Sequence, residues 1–129
     1  MHKYEVTIKE NHLDTFGHVN NATYLELYEQ ARWEALNDHG VSVQKIIQDQ
    51  VGPVLLKVEL SFKKELLLRE NIEIRSELIE KVNHKVMRVR QTMLDKNQEV
   101  ASIAIFDIGV MDLTKRKLIR LDGVWLELF

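Results

Sequence analysis

The chain has 129 residues, 45% of them apolar and 29% charged, with a formal net charge of −2 and no cysteine. That length suits one domain spanning residues 1–129, and the apolar share is too high for a disordered chain. The near-neutral balance gives no reason to expect nucleic-acid binding, and the missing cysteine excludes a thiol nucleophile, a thiolate metal site and a disulfide framework.

The opening residues, Met1-His2-Lys3-Tyr4-Glu5, lack the apolar stretch of a secretory signal. No apolar run approaches the ~20 residues of a membrane span. A cytoplasmic protein is expected. Tyr4, Val6 and Ile8 alternate with Glu5, Thr7 and Lys9, which predicts a short strand. A polar loop follows from Asn11 to about Asn20. Asn20 or Asn21 suits a helix N-cap, since its side-chain oxygen can accept from free backbone N–H groups. The helix should run to about Asp38, with Gly40 as its stop. At about 100° per residue, Tyr24, Leu27, Tyr28, Ala31 and Ala35 share one face, and Leu25 and Leu36 widen it. An arc of about 200° is wider than a flat sheet needs, so the helix should be wrapped. Glu29 and Arg32 fall at its border, three residues apart, and are expected to pair.

Ser42 to Gln50 is a candidate short helix, broken by Gly52-Pro53. Strands then take over. Val54, Leu56, Val58, Leu60 and Phe62 alternate with polar neighbours, as do Ile72, Ile74 and Leu78. Lys81–Lys85 and Asp95–Gln98 read as turns on either side of a strand from Val86 to Leu94. Glu99 to Met111 is nearly continuous in apolar residues, so it should lie centrally in the sheet. After Asp112 the pattern is ambiguous: Lys117–Leu121 suits a strand, and Val124–Phe129 suits strand or helix. A helix of about 17 residues is ~26 Å long, matching strands of eight to ten residues. An α+β architecture follows: a curved antiparallel sheet of five to six strands rolled around one long helix.

One stretch carries chemistry. Asp14 stands in the polar loop, seven residues before Asn21 at the expected helix start. A helix N-terminus offers free N–H groups and partial positive charge, which can polarise a carbonyl and stabilise an oxyanion. A carboxylate beside it can act as general base on water or as nucleophile. By spacing alone, Asp14 reads far more readily as a loop cap. His12, Asp14 and His18 have no second motif that would make them a metal site. Asp107, inside a strand, suits an arginine or backbone partner. Neither a Gly-rich phosphate loop nor a Gly-x-Ser-x-Gly elbow is present.

The run Asp14-x-x-Gly17-His18-Val19-Asn20-Asn21-x-x-Tyr24-Leu25-x-x-x-Glu29-x-Ala31-Arg32 resembles the hotdog-fold thioesterases of the 4-hydroxybenzoyl-CoA thioesterase-like family. His12-Leu13-Asp14 and Glu29-Gln30-Ala31-Arg32-Trp33 resemble in particular its bacterial long-chain acyl-CoA thioesterases, enzymes of fatty acid metabolism. The motif covers about 22 residues; the later strands match only in order and length. The resemblance implies hydrolysis of an acyl-CoA, with Asp14 as catalytic carboxylate and the Asn21 backbone N–H polarising the thioester carbonyl. It implies that His18 and Asn20 orient water or shape the pocket, and that Tyr24, Glu29 and Arg32 fix the helix. Some members carry His where this chain has Asn21, so a side-chain acid at that position is not implied.

Phe16 and Gly17 are candidate substrate contacts in the loop, and Trp33 is a candidate wall for an acyl chain. Lys63, Arg88 and Arg90 are candidates for the CoA phosphates, since cations hold phosphate well and Arg88 and Arg90 share a strand face. The implied reaction calls for no metal or redox cofactor. Two rivals remain: a hotdog hydratase or dehydratase on acyl thioesters, and a non-catalytic acyl-CoA-binding hotdog protein. A sheet this small has bare edges, and Leu55 and Ile79 interrupt polar strand faces. The resemblance implies a homodimer sharing its site across the junction, paired again into a tetramer.

Overall fold

The computed structural model describes residues 1–129. Strand β1 (His2–Thr7) leads through a single 3-10 turn, Glu10–His12, to helix α1 (Asn21–Asp38) and short helix α2 (Val43–Asp49). Strands β2 (Val51–Phe62), β3 (Asn71–Lys81), β4 (Val86–Leu94), β5 (Val100–Asp112) and β6 (Lys117–Leu118) follow, then a 3-10 turn at Gly123–Leu126. The sheet is antiparallel in the order β1-β3-β4-β5-β2, with β6 attached to β5. This is the hotdog arrangement that the sequence motif implies. No helix is long and apolar enough to cross a membrane.

Helix α1 buries Tyr24, Leu27, Tyr28, Ala31, Ala35 and Leu36. The two alanines are fully covered, so the helix backbone comes close to the sheet there. Leu25, expected to widen this face, is instead exposed. Along β4, Met87, Val89, Gln91 and Met93 are buried, while Arg88 and Arg90 stand on the other face. Buried residues of β3 and β5, including Ile74, Ala104 and Phe106, complete one core with the helix.

That core contains a polar junction. The Gln91 amide nitrogen donates to the Tyr28 carbonyl at 3.1 Å and to Ser76 Oγ at 2.9 Å. Its oxygen accepts from Arg32 at 2.8 Å. Nearby, the Tyr28 hydroxyl donates to Ser102 Oγ at 2.9 Å, and Ser102 donates to the Ser61 carbonyl at 3.0 Å. Buried polar groups cost free energy unless paired, and these groups are paired.

The structure corrects three further expectations. Glu29 and Arg32 do not form the expected buried pair. Glu29 is exposed, while Arg32 reaches inward to Gln91 and lies 4.4 Å over the Phe106 ring. Gly52-Pro53 does not end α2. Gln50 does so in the left-handed conformation (φ 53°), and Gly52 and Pro53 already belong to β2. Pro53 is tolerated because β2 is an edge strand, where a missing N–H costs no ladder bond. The alternation of β2 does not produce a buried face: Leu55, Leu56, Val58 and Phe62 are all exposed. The ambiguous tail resolves into a two-residue strand, Lys117–Leu118, inside the expected Lys117–Leu121, and a 3-10 turn at Gly123–Leu126. Trp125, Leu126 and Phe129 still pack against the core, so burial there does not require regular structure.

Candidate functional site

The loop between β1 and α1 is closed at its base. Leu13 and Val19 form an isolated antiparallel bridge, and the Asn20 N–H donates to the His12 carbonyl at 2.9 Å. The Asp14 N–H donates to the His18 carbonyl at 2.8 Å. Within this loop one Asp14 oxygen, Oδ1, accepts from the N–H groups of Phe16 (2.8 Å) and His18 (3.2 Å). Such a turn is what an Asp side chain favours. Gly17 takes φ 79° at the tip, a conformation that glycine adopts without strain. The other carboxylate oxygen, Oδ2, has no partner in the chain, and Asp14 is half-buried.

The helix begins where the sequence indicates. Asn20 is the N-cap, its side-chain oxygen accepting from the Ala22 N–H at 2.9 Å. That oxygen is therefore committed to the cap. The Asn21 N–H has no acceptor in the chain. A carboxylate oxygen and a helix N–H, both unengaged, thus arise from one closed loop. Together they can activate a nucleophile and stabilise developing negative charge.

His18 points to a residue that sequence reasoning missed. Its Nε2 lies 2.7 Å from Glu65, on the segment between β2 and β3. Nothing in local periodicity marks Glu65, because the pairing is made by the fold alone. Phe16 stands 82% exposed at the loop tip. The Phe62 ring, at the end of β2, meets Tyr24 of α1 edge-on at 4.9 Å, so this end of β2 adjoins the start of the helix. Lys63 follows directly and is exposed, with no carboxylate partner, whereas Lys64 pairs with Glu99.

Arg88 and Arg90 lie on the sheet face opposite the buried Met87, Val89 and Gln91, away from α1. Arg88 holds Asp107 at 2.8 and 3.2 Å and Glu80 at 2.8 Å, and Arg90 holds Glu77. The Arg88 hydrogen bonds keep the Asp107 carboxyl below its ordinary range. A phosphate at either arginine would compete with carboxylates already in place. His12 turns its Nδ1 to the Lys9 N–H at 2.9 Å, and no group of three His, Asp or Glu is gathered as a metal site.

The two principal cavities lie elsewhere. One, of about 270 Å³, is bounded by the C-terminal half of α1, the start of β2 and the end of the chain; it includes Trp33. The other is polar and lies along β1 and β3. The Asp14 loop lines neither.

Residues 7–129 match the model of a family described as the thioesterase-like superfamily. The long-chain acyl-CoA thioesterase FadM of Escherichia coli (strain K12) is 28% identical over 120 residues, covering 92% of this chain and 89% of that protein. The crystal structure of YbaW, a probable thioesterase from Escherichia coli, is 25% identical with a TM-score of 0.84, covering 99% of this chain and 96% of the other. SAV2348 of Staphylococcus aureus, solved in complex with CoA, superposes with a TM-score of 0.88 at 13% identity. It covers 98% of this chain and 79% of its own, a likeness of fold.

Proposed function

The chain belongs to the thioesterase-like superfamily, and on that premise we propose that it hydrolyses acyl-CoA thioesters to a free carboxylic acid and CoA. The observation that carries this reading is the pair of unengaged groups on one closed loop: Asp14 Oδ2 and the N–H of Asn21. The similarity to FadM over most of both chains supports a CoA thioester as the substrate.

In this mechanism the Asn21 N–H, at the positive end of α1, donates to the thioester carbonyl oxygen as charge builds on it. Asp14 takes the proton from an attacking water. The C–S bond then breaks, and the CoA thiolate leaves and is protonated from solvent. Direct attack by Asp14, through a mixed anhydride, uses the same groups. Heavy oxygen recovered in Asp14 after single turnovers in labelled water identifies that second route. His18, held by Glu65, shapes the loop wall, and Asn20 fixes the helix start. Phe16 and Gly17 contact substrate at the tip. Lys63 is the cation best placed for a CoA phosphate, being unpaired beside Phe62.

The reading includes a second copy of the chain. β2 is an edge strand with Leu55 and Leu56 about half exposed (49% and 48%). Bare apolar edges invite strand pairing. Pairing β2 to the β2 of another copy would cover them and wall the open surface beside Phe62.

The test is a screen of acyl-CoAs of increasing chain length, with released thiol as readout. Turnover of saturated acyl-CoAs is expected. Hydration of enoyl-CoAs without thiol release identifies a hydratase instead, and tight binding without turnover identifies a binding protein.

A further inference from the structure

Two turns at one end of the sheet carry an unbalanced charge. The β3–β4 turn holds Lys81 and Lys85, and the β5–β6 turn with the residues after it holds Lys115, Arg116, Lys117 and Arg120. No Asp or Glu stands within residues 81–85 or 115–120. The fold joins the two segments. The Leu121 N–H donates to the His84 carbonyl at 2.8 Å, and Leu118 packs on Gly109 beside the Lys85 carbonyl. All of these Lys and Arg side chains are exposed and none forms an ion pair, whereas Arg69, Arg75, Arg88 and Arg90 each hold a carboxylate. Nearby acids are mostly committed. Glu80 is bound by Arg88 at 2.8 Å, and Asp112 accepts from the Thr114 and Lys115 N–H groups at 3.0 and 2.9 Å. Asp122 is the exposed carboxylate left beside the cluster. Like charges gathered without counter-charges repel one another. The whole chain carries −2, so this end opposes the sign of the rest.

We propose that this end of the molecule docks on an anionic lipid bilayer. A cluster of about four to eight Lys and Arg is the surface that anionic headgroups hold. Both segments are turns beyond the ends of their strands, and none of their cations lines either principal cavity. Such a surface suits an extended plane of negative charge rather than one small ligand. Ile79 and Val82 stand exposed among the cations, apolar groups that can enter the headgroup boundary. Neither turn carries a Phe, Tyr or Trp on which a nucleic-acid base could stack. Met111 and Asp112 of β5 pair with β2 on one side and with β6 on the other. Pairing of β2 edges between copies therefore leaves the cluster uncovered. The proposal does not rest on the thioesterase reading, because binding is measured without turnover.

Co-sedimentation of the intact protein with lipid vesicles tests the proposal. Vesicles of phosphatidylglycerol in phosphatidylcholine should retain the protein at about 0.1 M salt, where screening sets in over ~10 Å. Vesicles of phosphatidylcholine alone should not. Each cation at an anionic surface is worth about fivefold in affinity, so Lys117→Gln should weaken binding by that factor. Lys115→Gln, Arg116→Gln and Lys117→Gln together should cost about 100-fold, and Lys81→Gln with Lys85→Gln on the other turn about 25-fold. Lys96→Gln, at the far end of β4 and about 30 Å away, should stay within about twofold. All of these positions are exposed, so thermal melts should match the parent protein. Equal retention by phosphatidylcholine alone, or a triple variant that binds as tightly as the Lys96→Gln protein, would overturn the proposal. Tighter binding to a DNA duplex than to the anionic vesicles at the same salt would do so as well, marking a nucleic-acid surface. So would release from the vesicles by free CoA at a phosphate concentration no higher than that of the lipid, marking a nucleotide subsite.

Discussion

His18 Nε2 lies 2.7 Å from the Glu65 carboxylate, tying the loop before α1 to the segment after β2. Both side chains are about half exposed, so the pair adds little to stability. Its effect should fall on the shape of the loop that carries Asp14. Glu65→Gln is expected to lower kcat/KM about tenfold, the loss of one charge-assisted hydrogen bond, with an unchanged melting temperature. Steady-state kinetics beside a thermal melt checks it, and unchanged kinetics would show that the pair does not order the loop.

Asp14→Asn should lower kcat by at least ~100-fold, the lower end of general acid–base contributions. The turn should persist, because an amide oxygen can still accept from the Phe16 and His18 N–H groups. Asp14→Ala removes that acceptor and should loosen the loop as well. Near-normal turnover by a folded Asp14→Asn protein would remove Asp14 from the mechanism.

Glu29 and Arg32 should behave unlike partners. Glu29 is exposed, so Glu29→Ala should change stability by about 0.5 kcal/mol or less. Arg32→Ala loses the Phe106 face and leaves the Gln91 oxygen unpaired, at a cost of roughly 2–4 kcal/mol. A fall in melting temperature on the order of 10 °C is the expected reading for a chain of this size. Equal losses from the two substitutions would indicate a coupled pair after all.

Assembly can be challenged on β2. Leu56→Lys with Val58→Glu puts charge on two exposed edge positions and should yield monomers with little activity. Light scattering at micromolar concentration, run beside the thiol-release assay, is the measurement. A fully active monomer would defeat the shared site, while a dimer that assembles no further would remove only the expected tetramer.

The legible parts of this molecule are those set by near neighbours in the chain. Asn20 caps the helix through Ala22, two residues on, and Asp14 folds its own turn, so both are readable from short motifs. Strands β3 and β5 show their buried faces as alternation or as a continuous apolar run, whereas β4 is mixed, with Gln91 on its buried face. Sequence reading fails where the outcome depends on what lies opposite. Helical spacing pairs Arg32 with Glu29 on its own helix, but the side chain extends across to Gln91 of β4, a strand about which that spacing carries no information. Glu65 likewise meets His18 only across the fold, with no local pattern to mark it. β2 alternates like a half-buried strand, yet within one chain little covers it.

The Gln91 junction has a consequence for how firmly α1 is positioned. Apolar surfaces lined by alanine are slippery: a helix can slide along them at small cost, exchanging one methyl contact for another. Gln91 removes that freedom, because its amide meets the Tyr28 carbonyl, Ser76 and Arg32 together, and a slide of even one residue strands several polar atoms in the interior. The junction works as an index pin. It sets where along the sheet the helix stops, and so where the first N–H of α1 points, from about two to three turns down the same rigid rod.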